Sequence, residues 1–188
     1  MVEEADLEEL ASGFAPATDG WFVVNVRDAA WETNARVGAM CAFEGDHTPF
    51  SQLGINVRVL APGRSRWLYH AEDYQEDFLV LAGECVLLVD DEERPLRAWD
   101  FVHCPPGTAH AFIAGGEGPC VILMVGARGP EWPRGIVFPR SDLALRHNVG
   151  VETETTSPSE AWAQVGIPEW RLERPGDWHA LPWAEEQG

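Results

Sequence analysis

The chain has 188 residues, 45% of them hydrophobic and 10% aromatic, with 31 acidic side chains against 13 basic ones and a formal charge of −18. All 13 basic residues are Arg, and Lys is absent. That excludes chemistry resting on a Lys amine, which covers Schiff bases, pyridoxal phosphate and P-loop nucleotide hydrolysis. The charge also argues against nucleic acid and anionic membrane surfaces, which need clustered cations. Small neutral, cationic or metal-borne partners are expected instead.

The length fits one domain able to bury its own core. The longest apolar run, residues 121–127, falls far short of the ~20 residues of a membrane-spanning helix. The first six residues are acidic where a secretory signal would be basic and then apolar, so a cytoplasmic protein is expected. Cys41, Cys85, Cys104 and Cys120 form no C-x-x-C pair. In a reducing compartment they read as buried thiols, with a disulfide as the minority reading.

In chain order, residues 1–20 form an acidic arm with one helical turn expected at residues 7–10. Residues 21–26 read as the first strand, being β-branched and aromatic. Short apolar runs follow at 55–60, 78–81, 85–89, 100–104, 110–114 and 120–125, separated by Gly, Pro or charged turns. That rhythm predicts an all-β sandwich or barrel. No helical segments lie between the runs, which excludes βαβ units and, with them, a dinucleotide fold. The acidic run 90–93 lacks a calcium-loop pattern and reads as a solvated hairpin turn. Residues 158–165 read as a helix, with Ser157 as N-cap, Pro158 at its first position and Gly166 at its end. Five of the nine Trp residues fall after residue 131 (Trp132, Trp162, Trp170, Trp178 and Trp183), so residues 128–188 are expected to pack on the barrel or on a partner subunit.

The chemistry lies between Gly63 and Ala114. His70, Glu72 and Glu76 are separated by even numbers of residues. In an extended chain His70 and Glu72 therefore project from one face, and Glu76 rejoins it if the strand resumes in phase. His110 follows the turn Pro105-Pro106-Gly107 and heads the next strand. His103 and Cys104 are neighbours on a strand and point to opposite faces, so they read as a hydrogen-bonding residue and a core residue. Arg58, Arg64 and Arg66 near the barrel entrance could clamp a carboxylate, with ion pairing to the many acids as the default reading.

The pattern resembles the cupin superfamily. Glu76, six intervening residues and Gly83 match the end of its first motif, and His70 matches the first His. Glu72 replaces the second His. Pro105, Gly107 and His110 match the second motif, P-x-G-x-x-H, while Trp99 and Ala114 stand where its flanking Gly and Asn commonly occur. The resemblance implies a cupin-type double-stranded β-helix (jelly-roll) barrel over residues 21–127, with short helices in the C-terminal segment. It also implies one divalent transition metal per chain, Fe, Mn, Zn or Ni, held by His70, Glu72, Glu76 and His110. A cupin without metal, with polar residues in a wet barrel mouth, is the alternative, and Glu72 can equally be a solvated carboxylate. The expected function is a metal-dependent enzyme of the dioxygenase, isomerase or lyase type acting on a small organic molecule. The alternative is a non-catalytic metal- or small-ligand-binding cupin. Pairing through edge strands makes a homodimer the expected assembly.

Overall fold

The computed structural model describes residues 1–62, 67–130, 135–166, 169–176 and 178–183. Gly63, Arg64, Arg66, Trp132 and Pro168 lie outside the described residues. The strands in chain order are β1 (Leu7–Leu10), β2 (Gly13–Pro16), β3 (Glu32–Asn34), β4 (Gly38–Cys41), β5 (Leu53–Leu60) and β6 (Ala71–Glu72). They continue as β7 (Glu76–Ala82), β8 (Glu84–Val89), β9 (Glu92–Arg97), β10 (Phe101–Cys104), β11 (His110–Ala114), β12 (Cys120–Ala127) and β13 (Ile136–Val137). Two short helices follow, α1 (Asp142–Arg146) and α2 (Pro158–Val165). No helix among the described residues is long and apolar enough to cross a membrane.

The main sheet runs β10-β7-β12-β5-β4-β3 and faces a smaller one, β11-β8-β9. The two do not close into a continuous hydrogen-bonded barrel among the described residues. Register sets the interior. On the central strand β12, Cys120 pairs with Leu60, Ile122 with Arg58 on one side and Val80 on the other, Met124 with Asn56 and Phe78, and Gly126 with Gly54 and Glu76. Side chains at these even positions share one face of the sheet. The lower rows supply Leu60, Cys120, Ile122, Val80 and Phe78, which pack with Cys85, Leu87, Cys104 and Phe112 as the barrel core. The upper rows turn polar or small, so a cavity opens above an apolar plug.

The outer face of the main sheet is covered by the ends of the chain. Trp31 is fully buried and meets Trp178 and Trp183 with ring centroids 5.9 and 5.4 Å away. The Arg171 and Thr33 main chains exchange hydrogen bonds of 3.0 and 2.8 Å, which lays the C-terminal segment against β3. Helix α1 covers the smaller sheet through Leu143 and Ala144. Helix α2 begins and ends where the caps indicate, with the Ser157 side chain accepting from the Glu160 N–H and Gly166 at φ 93°.

Two expectations are overturned at the N-terminus. Residues 7–10 are strand β1, paired with β2, because the turn after Leu10 brings Gly13–Pro16 back alongside them. Residues 21–26 form no strand beyond a single bridge at Trp21. Val24 and Val26 instead pack as irregular chain against the Trp31 cluster. All four cysteines are free and buried, and burial raises the Cys41 thiol to about 11 and the Cys104 thiol to about 12, which leaves both unreactive.

Candidate metal centre

His70 and His110 belong to different segments but exchange both main-chain hydrogen bonds, at 3.1 and 2.8 Å. An antiparallel pair of this kind sends both side chains to the same face. The rings accordingly lie 5.0 Å apart, centroid to centroid. Each Nδ1 faces a carbonyl oxygen, His70 that of Leu68 at 2.8 Å and His110 that of Thr108 at 3.0 Å. A carbonyl only accepts, so Nδ1 carries the proton and the Nε2 lone pair is left for the cavity.

The chain bends after β6 and resumes as β7 at Glu76, which returns to the inner face in phase. The Glu76 Oε2 is 3.5 Å from the His110 Nε2. His70, Glu76 and His110 each offer a donor atom, all within 4.8 Å of one another. Glu72 sits beside this group, with its Oε1 3.8 Å from the His70 Nε2. Sequence spacing thus singled out four residues, of which three gather tightly and Glu72 flanks them.

Burial governs the electrostatics. Both imidazoles are nearly enclosed, at 5% exposure for His70 and 2% for His110. Burial, then the neighbouring His110, pushes His70 down to about 3, and burial also lowers His110. Glu76 is raised to about 8 by burial and by the nearby Glu72, which burial raises as well. Two neutral imidazoles and two carboxyls short of positive charge form a donor set suited to a divalent cation. The carbonyls behind each Nδ1 are the usual orienting partners of histidine ligands.

A cavity of about 190 Å³ adjoins the group, walled by Phe78, Phe112, Leu60 and Met124 below and by Asn56, Arg58, Trp67 and Arg128 to the side. Of these wall residues sequence reasoning named only Arg58, although the even-numbered alternation of β5, β7 and β12 marks most of the others. His103 is half exposed and its Nδ1 lies 2.7 Å from Asp77 Oδ1, outside the cavity, while Cys104 is core.

Residues 56–126 match the family model for the cupin domain. This chain carries a cupin domain. No curated protein matches it. Among solved structures, it is similar to a sugar phosphate isomerase of the cupin superfamily from Silicibacter pomeroyi. The two share 24% identity and a TM-score of 0.50, over 61% of this chain and 85% of that one. It is also similar to the polyketide cyclase RemF from Streptomyces resistomycificus, with 16% identity and a TM-score of 0.47 over 57% and 79% of the two chains. At these identities the likeness concerns the cupin fold alone. Trp99, at a position where cupins commonly place Gly, adopts φ 75°.

Proposed function

We propose that the cupin domain binds one divalent transition metal through His70, Glu76 and His110, with Glu72 reaching in as a fourth donor. On this reading it acts as a metal-dependent enzyme of the dioxygenase, isomerase or lyase type on a small organic molecule. The observation that carries this reading is the pair of buried imidazoles, each locked by a carbonyl at Nδ1 and turning Nε2 toward Glu76. Bound there, a divalent ion would supply Lewis acidity toward an oxygen of the substrate. The protein's own part is to fix the donors, exclude bulk water with Phe78 and Phe112, and shape the space beside them.

Elemental analysis of the purified protein tests this. About one Fe, Mn, Zn or Ni per chain is expected in wild type and almost none in His110→Ala. Equal metal in both, or none in either, overturns the site. If the metal is iron, oxygen uptake with phenols or thiols distinguishes an enzyme from a passive binder. We further propose a cytoplasmic homodimer. The four free buried thiols support a reducing compartment, and the exposed Phe101 on the edge strand β10 supports a paired edge.

A further inference from the structure

Two arginines line the cavity, and the fold treats them differently. Arg128 is clasped by Glu44, Nη1 to Oε1 at 2.6 Å and Nη2 to Oε2 at 3.0 Å. It also donates to the Phe50 carbonyl at 2.5 Å. Arg58 has no such clasp. It projects from the inner face of β5 at 7% exposure, and its Nη1 is buried without a hydrogen-bond partner among the described residues. The guanidinium lies 4.2 Å from the centre of the Trp67 ring and 5.9 Å from that of Trp170. Those rings hold the plane of the group but satisfy none of its N–H donors in the plane.

A buried cation without a counter-ion is costly, and Asp and Glu are abundant in this chain. Burial lowers its pKa to about 10, with Glu32 opposing from a distance, so the guanidinium stays charged at neutral pH. Asn56, in the neighbouring row, has a buried Oδ1 that also lacks a partner among the described residues. Two unsatisfied groups of complementary kind thus flank one cavity, a donor fork and an acceptor.

We propose that Arg58 is the anion anchor of this cavity and that the ligand is a small organic acid whose carboxylate docks on the guanidinium. A carboxylate matches the planar fork and neutralises the charge. The apolar body of the acid lies against Phe78, Phe112 and Met124. An O–H or N–H of the same ligand donates to Asn56. The volume of about 190 Å³ equals roughly six waters at about 30 Å³ each, which admits a small acid. That the far end of the acid reaches His70, Glu76 and His110 rests on the metal-site reading; anchoring at Arg58 does not.

The test measures binding of benzoate and propionate against benzamide and propionamide, by calorimetry and by quenching of Trp fluorescence. The protein is used as purified and again after metal removal with 1,10-phenanthroline. Both acids are expected to bind about tenfold or more tighter than their amides, with and without metal, and Arg58→Met to lose that preference. Arg58→Gln, which keeps a polar side chain, is read in parallel should the Met variant fail to fold. Metal content is expected to be unchanged in both variants. Equal affinity for acid and amide, wild-type binding in a folded Arg58 variant, or no binding of either acid overturns the proposal. So does a preference for acids that vanishes on metal removal. Arg58-dependent binding in a protein that proves to hold no metal would sink the metal site and leave this anchor standing.

Discussion

The main chains of His70 and His110 are paired to each other in both directions, at 3.1 and 2.8 Å. This pair, and not the course of the intervening strands β6 to β10, sets the imidazole spacing. It involves no side-chain atom and therefore survives substitution of either ring. Loss of a ligand can then be separated from loss of fold.

Glu76 and Glu72 are expected to differ as ligands. Glu76 stands within the tight group, while Glu72 touches only its His70 edge. Glu76→Gln removes the carboxylate at the centre and is expected to weaken metal retention by more than about 100-fold. Glu72→Gln is expected to cost about 10-fold, the scale of a supporting group. Competition with a chromogenic chelator measures both. Equal effects would place the two carboxylates on the same footing.

Trp99 holds φ 75° with its side chain 74% exposed. A left-handed conformation costs a non-glycine residue roughly 1–2 kcal/mol, and Gly gives back about 0.5–1 kcal/mol in unfolded-chain entropy. Trp99→Gly loses little burial and is expected to stabilise the domain by about 0.5–1 kcal/mol. Thermal unfolding should show a rise in Tm of roughly 2–4 °C per kcal/mol. A lower Tm would mean that the indole contributes packing.

The strands that carry the site were readable because each is a short apolar run bounded by turn signals. Residues 110–114 coincide with β11, and the helix at 158–165 coincides with α2. The missed strand β9, Glu92–Arg97, is polar and holds Pro95; its pattern is supplied by β8, against which it forms an edge. Residues 21–26 have strand composition, yet their apolar side chains serve to cap the Trp31 cluster. The metal candidates were legible because strand parity places His70, Glu72 and Glu76 on one side. Arg58 stood among three arginines with ion pairing as the default. What distinguishes it is the absence of a clasp like that of Arg128, a property of tertiary packing that spacing does not encode.

Asp77 predicts a feature of the acid limb. Its carboxyl is held below the usual range by hydrogen bonds from His103 first and Gln75 second. A depressed pKa in the folded state stabilises above the unfolded value, about 3.9, and that stabilisation is lost as pH falls through the folded pKa. Asp77→Asn should therefore show a shallower fall in Tm below about pH 4 than wild type. Parallel curves would mean that the pair does not favour the folded state.

Trp31 links the two ends of the chain. It is fully buried, donates through Nε1 to the Val26 carbonyl at 3.0 Å, and meets Trp178 and Trp183. Trp31→Ala is expected to cost about 3–5 kcal/mol and to release the segment around Trp178 to limited proteolysis. Denaturant unfolding and mapping of the first cleavage site would measure the two effects. A large loss of stability without cleavage near Trp178 would confine the role of Trp31 to the sheet.

Gly126 shapes the cavity from β12. A Cβ placed there would lie 3.8 Å from Cγ of Glu76 and 3.9 Å from its Oε1, in ordinary contact. Its φ is not in the left-handed region, so the backbone accepts a side chain. Gly126→Ala should then fold and keep its metal. Gly126→Leu extends into the space beside Glu76 and should weaken benzoate binding by at least about tenfold, the effect of misfilling a small pocket by a few carbons. Calorimetry on both variants checks this. If Gly126→Leu binds benzoate as wild type does, the acid occupies a different part of the barrel from the face shared by Glu76 and Arg58.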